Sequence, residues 1–513
     1  MRLMRLCMLF LILLGPASFR LRAQLPVISS QPAGHALWAG GNATLAVGVS
    51  GAGPFSYQWQ LDNTNLPSGI ITTVAGGGTN AGDGGYATGA ILNFPEGVTV
   101  DEAGNLYIAD TVDGRIRKVD TNGMISTVAG IAAGSTPENN GLATNTSLNN
   151  PAGVTMDALG NLFIADSGNE IVREVNTRGM ITSVAGDGTN GYAGDGRLAT
   201  NASLNYPASV TVDAAGNVFI ADADNNVIRK IVPGGIITTV AGNGTNLYAG
   251  DGGPAANASL YFPQGVTVDP AGNLFIADSG NDVVREVTTN GTITTIAGGG
   301  VLTGNGIIAT NARLNYPAGV VKDALGNLFI TDYGNNVVRK VNTNGIITTV
   351  AGGGILSGNG IAATNASLNG PEGVTVDAYG NLFVATPGSN VVRKVTNTRG
   401  PALALNHVTP ADAGRYRVVV TGSGGSVTSS VVNLVVTATP LIYRAGPDPD
   451  GSLALNFLSQ PGSTNVVFCA TNLLPPIVWE PLATNIAGPD GNWQFTDTRT
   501  AGQLALFYRS LTH

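Results

Sequence analysis

The sequence predicts an all-β chain organised around a closed ring of six small sheets. Three observations predict it. The chain repeats itself six times, head to tail, from Gly69 to Thr398, and a fixed period is the strongest fold signal a single sequence carries. Each copy holds short apolar segments rich in Val, Ile, Phe and Thr, with the lengths and composition of strands. The turn Asp-x-x-Gly-Asn recurs in every copy, at Asp101, Asp157, Asp213, Asp269, Asp323 and Asp377. There the Asp can accept its own backbone two residues on, and the Gly is free to take positive φ. Only 11% of residues are charged and 72 are glycine, a balance that suits tight turns between strands better than helices.

The N-terminus reads as an export signal. Arg2 and Arg5 precede an apolar run from Leu6 to Leu14, and small residues follow at Gly15, Ala17 and Ala23, the order of a signal peptide over residues 1–23. That run is too short to span a bilayer, which takes about 20 apolar residues, and no later segment supplies them. No membrane span is expected, and the protein is placed outside the cell or on its surface. Losing Arg2, Arg5, Arg20 and Arg22 with the signal moves the formal charge from −8 to −12. A phosphate-binding surface needs a clustered excess of Lys and Arg, so nucleic acid is excluded as a partner. Cys7 lies in the signal and Cys469 stands alone in the remainder, which leaves no intramolecular disulfide even though export permits one. Cys469, flanked by Val467, Phe468 and Ala470, reads as a core residue.

Ahead of the repeats, over residues 25–68, Ala43 to Val47 and Tyr57 to Gln60 are strand-like. Their counterparts come after the repeats, over residues 399–437: Leu403 to Val408, then Asp412-Ala413-Gly414-Arg415-Tyr416-Arg417-Val418. Together the two flanks resemble one immunoglobulin-like β-sandwich. The resemblance makes these segments strands B, C, E and F, with Trp59 as the core tryptophan, Tyr416 as the tyrosine corner, and Val47 and Val418 at the usual cysteine positions. Neither half could fold alone, so the ring is expected to be inserted into the sandwich. The tail, residues 438–513, with strand-like Leu453 to Leu458 and Asn465 to Phe468 and aromatics Trp479, Trp493, Phe495, Phe507 and Tyr508, reads as a small C-terminal β-sandwich.

Within residues 69–398 the segments Leu-Phe-Ile-Ala do not alternate apolar with polar, as a sheet with one wet face would. Both faces are therefore buried, which four-stranded sheets packed face to face around an axis achieve: a β-propeller. The period of roughly 55 residues suits one blade per copy. The recurring Ile-Thr-Thr-Val-Ala-Gly, Gly-Asp-Gly-Gly, Pro-x-Gly-Val-x-Val-Asp, Gly-Asn-Leu-Phe-Ile-Ala-Asp and Val-Val-Arg-Lys-Val resemble NHL repeats, in the variety found in teneurin-like propellers. The resemblance implies six blades, in agreement with the number of copies.

If the strands of a blade are a to d outward from the axis, the first Ile-Thr-Thr-Val-Ala-Gly precedes any a strand, and the sixth copy stops after its c strand at Val395. Ile70 to Ala75 is therefore expected to supply the missing d strand of blade six. Antiparallel strands place the d-to-a crossovers and b-to-c turns on one face of the ring, and the chain ends near Gly69 and Thr398 on the other. The open face gathers the crossover acids Asp83, Asp195 and Asp251 with the acids at the ends of the b strands, Asp110, Asp166, Asp222, Asp278 and Asp332. These eight form the candidate ligand-binding face.

Some proteins with this fold are lyases, such as the peptide-amidating lyase and the streptogramin lyase, which rely on histidine and a metal. Here the only histidines are His35, His407 and His513, none in the repeats, so no imidazole there can ligate a metal or act as general base. At repeated positions Asp more commonly holds a turn or stitches a blade, and the series Arg117, Arg173, Arg229, Arg285, Arg339 and Arg393 reads as its partner. Thr386 interrupts the acid series in blade six. No cofactor, metal or catalytic residue is assigned. Calcium is the candidate ion, because carboxylates and loop carbonyls are its ligands, although Gly-Asp-Gly-Gly is also an ordinary glycine turn and two copies carry Gly-Asn-Gly, at Asn305 and Asn359. The expectation is a monomeric secreted or cell-surface interaction scaffold that binds a protein, peptide or glycan. The alternative is an extracellular lyase or hydrolase using carboxylates and calcium on the same face.

Overall fold

A computed structural model describes residues 24–38, 41–51, 53–80, 82–131, 139–405, 408, 410–437, 441–447, 452–459, 463–470, 480–488, 492–498 and 507–512. The expected signal, Trp479, His407 and His513 lie outside the described residues. The described chain is all-β apart from single 3-10 turns, and among the described residues no helix is long and apolar enough to cross a membrane.

The six copies form six antiparallel sheets. Blade four shows the plan, with strands a to d at Pro263–Val268, Leu274–Asp278, Val283–Val287 and Ile293–Gly298. Each b strand is buried along its whole length, as the unbroken apolar pattern requires. Its two faces serve two neighbours: Phe219 and Ala221 of blade three pack with Val266, Leu274 and Ile276 of blade four. The Asp-x-x-Gly-Asn turn closes on itself, with Asp157 Oδ1 accepting the amides of Leu159 and Asn161 at 2.9 and 2.8 Å.

Blade six is completed by the strand Gly69–Gly76, which pairs with Val391–Asn397 from Val391↔Gly76 to Asn397↔Gly69. The ring therefore shuts with the start of the repeat region lying on its end. Blades two, three, five and six carry a fifth strand that the sequence pattern does not reveal. Two-residue segments of the crossovers, Gly141–Leu142, Arg197–Leu198, Ile307–Ile308 and Ile361–Ala362, pair with the d strands. Two residues are too short to show a period.

At the axis the a strands approach so closely that glycine stands at one position in five of the six blades, Ser209 of blade three being the exception. A Cβ on Gly265 would collide with the Ala318 carbonyl of the next blade, and one on Gly373 with that of Glu96, so glycine here is a packing requirement.

The flanks meet below the ring. Ala43–Ala46 pairs with Ala402–Leu405, and Ser56–Leu61 with Gly414–Gly422. Trp59 is fully buried, among Leu45, Val47, Tyr416 and Val418, and its indole donates to the Gly400 carbonyl at 3.1 Å. The Tyr416 hydroxyl donates to the Asp412 carbonyl at 2.7 Å. Thr398 donates to the Pro67 carbonyl, and Asn42 to the Thr121 carbonyl in the c-to-d turn of blade one, so the flanks sit on the face opposite the crossovers. In the tail, two three-stranded sheets enclose Leu455, Phe457 and Val467. Trp493 stacks on Phe457 at 4.0 Å, and Cys469 is buried.

Candidate functional site

The b-strand acids Asp110, Asp166, Asp222, Asp278 and Asp332 are fully buried. Of the eight acids expected on the ligand-binding face, these five point into the blades and away from solvent. A β-bulge between strands c and d recurs beside each c-strand arginine, the kind of local distortion that re-aims a side chain. In blade four Arg285 spans two acids, Asp278 at 3.4 Å and the crossover acid Asp251 at 2.6 Å. Blades one and three repeat the bridge through Arg117 and Arg229. The crossover acids Asp83, Asp195 and Asp251 remain about half exposed, so they alone of the eight reach water.

The other blades depart from this plan by substitution. Asn139, Asn305 and Asn359 stand where the crossover acids do, each accepting a d-strand amide, as Asp83 accepts that of Thr127. Arg173 lies 3.9 Å from Asp166. In blade six Thr386 donates to its own turn at Val391, and Arg393 is left with the carbonyls of Ser357 and Gly358. Burial pushes Asp110, Asp166, Asp222 and Asp278 up to about 6, against the pull of backbone amides and arginines. Burial also lowers Arg173, Arg339 and Arg393.

What the buried acids hold is the mouth of the axial channel. Each accepts the amide of the residue two before the proline that opens strand a: Asn93, Asn149, Asn205, Tyr261 and Asn315, at 2.6 to 2.8 Å. The residue immediately before that proline is Phe94, Asn150, Tyr206, Phe262, Tyr316 or Gly370, and all six are left-handed, with φ between +46° and +59°. In five of them the amide is taken by a side chain from the previous blade's b-to-c corner: Asn390, Glu170, Asn226, Asp282 and Asn336 hold Phe94, Tyr206, Phe262, Tyr316 and Gly370 at 2.6 to 2.8 Å. Such strain persists only where the surroundings over-determine it, and the segments of Phe94, Tyr206, Phe262 and Tyr316 each have two anchors that provide that.

The result is a fixed aromatic arc over blades three to five. Tyr206 stacks on Phe262 at 5.9 Å, Phe262 lies 6.1 Å from Tyr316, and Tyr316 meets Tyr333 edge-on at 5.9 Å. Tyr333 leans into the space above Gly370, where a Cβ would touch its ring at 2.9 Å. Beneath the arc the channel is lined by the residues that follow the proline, Glu96, Ala152, Ala208, Gln264, Ala318 and Glu372, and encloses about 140 Å³. Burial pushes both Glu96 and Glu372 well above the usual carboxylate range, with the charge of Glu96 adding to the rise at Glu372. Burial, then the charges of Glu96 and Glu372, raise the Tyr206 hydroxyl.

Sequence reasoning missed this site. Its signal was the residue before the proline that recurs in each copy, aromatic in four copies, which looked like irregularity in an otherwise regular repeat. Among the described residues no group of three or more His, Cys, Asp or Glu is placed to hold a metal ion.

The family model described as the teneurin NHL domain matches residues 71–137, 186–249 and 244–303. Chicken teneurin-1 is 26% identical over 84% of this chain, and mouse teneurin-4 is 31% identical over 41% of it. The chain spans less than a fifth of the length of either. An auxiliary nutrient binding protein from Bacteroides ovatus superposes with a TM-score of 0.47 at 15% identity, covering 69% of this chain and 83% of its own. With six antiparallel blades closed around an axis and these repeat matches, the region from Gly69 to Thr398 is an NHL-repeat β-propeller.

Proposed function

We propose that the protein is an extracellular binding scaffold, and that its ligand, a protein, peptide or glycan, docks on the crossover face over the axial mouth. The observation that carries this reading is the arc Tyr206, Phe262, Tyr316 and Tyr333. The segments of Tyr206, Phe262 and Tyr316 are held by two backbone anchors each and have lost their freedom before any ligand arrives, which is the preorganisation that raises affinity. Partial exposure of such rings around a recess is the composition of a binding site. The opposite face is where the flanking strands attach, and we propose that they form one immunoglobulin-like sandwich that tethers the ring and leaves the mouth free. The absence of histidine from the repeats supports binding over catalysis.

The test uses the full chain on an array of extracellular proteins, peptides and glycans. Gly370 occupies in blade six the position of Phe262 and Tyr316, so Phe262→Gly and Tyr316→Gly remove rings from backbone that glycine accepts. Expected are hits that weaken about tenfold or more in these variants and survive Leu159→Ser and Leu325→Ser, at exposed turns of the opposite face. Hits indifferent to the mouth, or lost with the opposite turns, overturn the reading.

A further inference from the structure

We infer that the axial mouth recognises an alkylammonium group, of the kind a lysine side chain presents, held between the Glu96 and Glu372 carboxylates and the aromatic arc. The inference rests on the mouth being the binding site and adds the chemistry of what enters it.

Glu96 and Glu372 sit at the same position of blades one and six, which are neighbours across the ring closure. Glu372 is about nine-tenths buried. Among the described residues neither carboxyl has a hydrogen bond or an ion pair, and the channel lining contains no Lys, Arg or His. The buried acids Asp110, Asp222 and Asp278 are answered by arginine; among the described residues this pair is answered by no cation. Unpaired carboxylates at this depth are costly, and a bound cation would remove the cost.

Three further features select the kind of cation. Gln264, across the channel in blade four, directs a buried Oε1 that has no partner, an acceptor that an N–H donor can satisfy. Ala152, Ala208 and Ala318 fill the remaining positions and leave room for a methylene stem. The arc lies over blades three to five, opposite the acids, where ring faces attract a cation electrostatically. Two carboxylates and one amide oxygen fall short of the six to eight oxygens that calcium takes, whereas an ammonium needs only three acceptors.

Calorimetric titration of the full chain at about pH 8.5, where the amine is charged, tests this with Nα-acetyl-lysine methylamide, its neutral Nε-acetylated analogue, tetramethylammonium and calcium chloride. Expected is saturable binding of the lysine derivative, no binding of the neutral analogue, and a loss of about tenfold or more in Glu372→Gln and in Tyr316→Gly. Thermal melts of both variants confirm that they fold. Equal binding of the neutral analogue, affinity unchanged in the folded variants, calcium binding in place of amine, or no saturable binding of either amine overturns the inference. If array ligands depend on Phe262 and Tyr316 while no amine binds, the ammonium inference fails and the mouth remains the site. If those ligands ignore the mouth, the site itself is refuted.

Discussion

The Glu170 carboxylate, at the corner of blade two, accepts the backbone N–H of Tyr206 in blade three at 2.6 Å. The contact fastens one blade to the next and at the same stroke fixes the first ring of the arc. Glu170→Ala should cost about 1–3 kcal/mol. Amide exchange should speed up at Tyr206 while Tyr316, held by Asp282, stays protected. Equal protection at Tyr206 in both proteins would show that the carboxylate is dispensable.

Asp278→Ala should be more severe. It leaves the buried Arg285 with Asp251 as its one remaining acid and frees the Tyr261 amide, and losing a partner from a buried ion-pair network costs about 3 kcal/mol. The converse substitution, Thr386→Asp, gives Arg393 the acid that blade six lacks and should raise the denaturation midpoint. A lower midpoint for Thr386→Asp in urea would refute the view that Arg393 is under-compensated.

The channel pair makes stability depend on pH. Glu96 and Glu372 titrate at about 7 and about 8 in the folded chain, above the ordinary carboxyl value, so between those limits the folded state binds more protons than the unfolded. Their contribution is therefore complete at acid pH and is lost as pH rises through 7 and 8. The melting temperature should fall from about pH 4.5 to about pH 8 and level off above that, and Glu372→Gln should flatten that slope. A slope unchanged in the variant assigns the titration elsewhere.

Cysteines at Ile70 and Thr396, paired across the closure ladder, should crosslink when a disulfide oxidant such as oxidised glutathione takes up the two electrons, and the bridge should stabilise the fold by about 5 kcal/mol for so long a loop. Free thiols in the folded double variant would mean that the ring does not close there.

Trp59→Ala removes the largest buried side chain of the flanks and should cost about 3–5 kcal/mol. Two transitions are expected, the flanks melting early and the ring little changed. One transition shared by variant and wild type would make the flanks and ring a single cooperative unit.

Much of the ring was legible because repetition averages out accident: six copies agree on strand lengths, on the Asp-x-x-Gly-Asn turn and on the missing d strand. The orientation of the strand-end acids was not. Asp278 ends an apolar strand beside a glycine-rich turn, a position that reads equally as rim or interior, and the bulge that swings Arg285 beneath it leaves no mark on composition. The mouth escaped for the opposite reason. Phe94, Asn150, Tyr206, Phe262, Tyr316 and Gly370 differ from one another, so a method that looks for what repeats passes over them, although the prolines after five of these and the Pro371 after the sixth mark the place. In a ring of equal blades, asymmetry is where recognition can reside, and Glu96 and Glu372 are asymmetric too.

The closing strand also sets a timetable. Of the ring's strands Gly69–Gly76 leaves the ribosome first and its partner Val391–Asn397 last, while Thr398 must find Pro67 from 331 positions away. At about 5–20 residues per second the first strand waits some tens of seconds with an unpaired edge, and such edges invite mispairing with other chains. The same latch that makes the finished ring hard to open leaves the growing chain dependent on whatever shields that one strand until the sixth blade has been made.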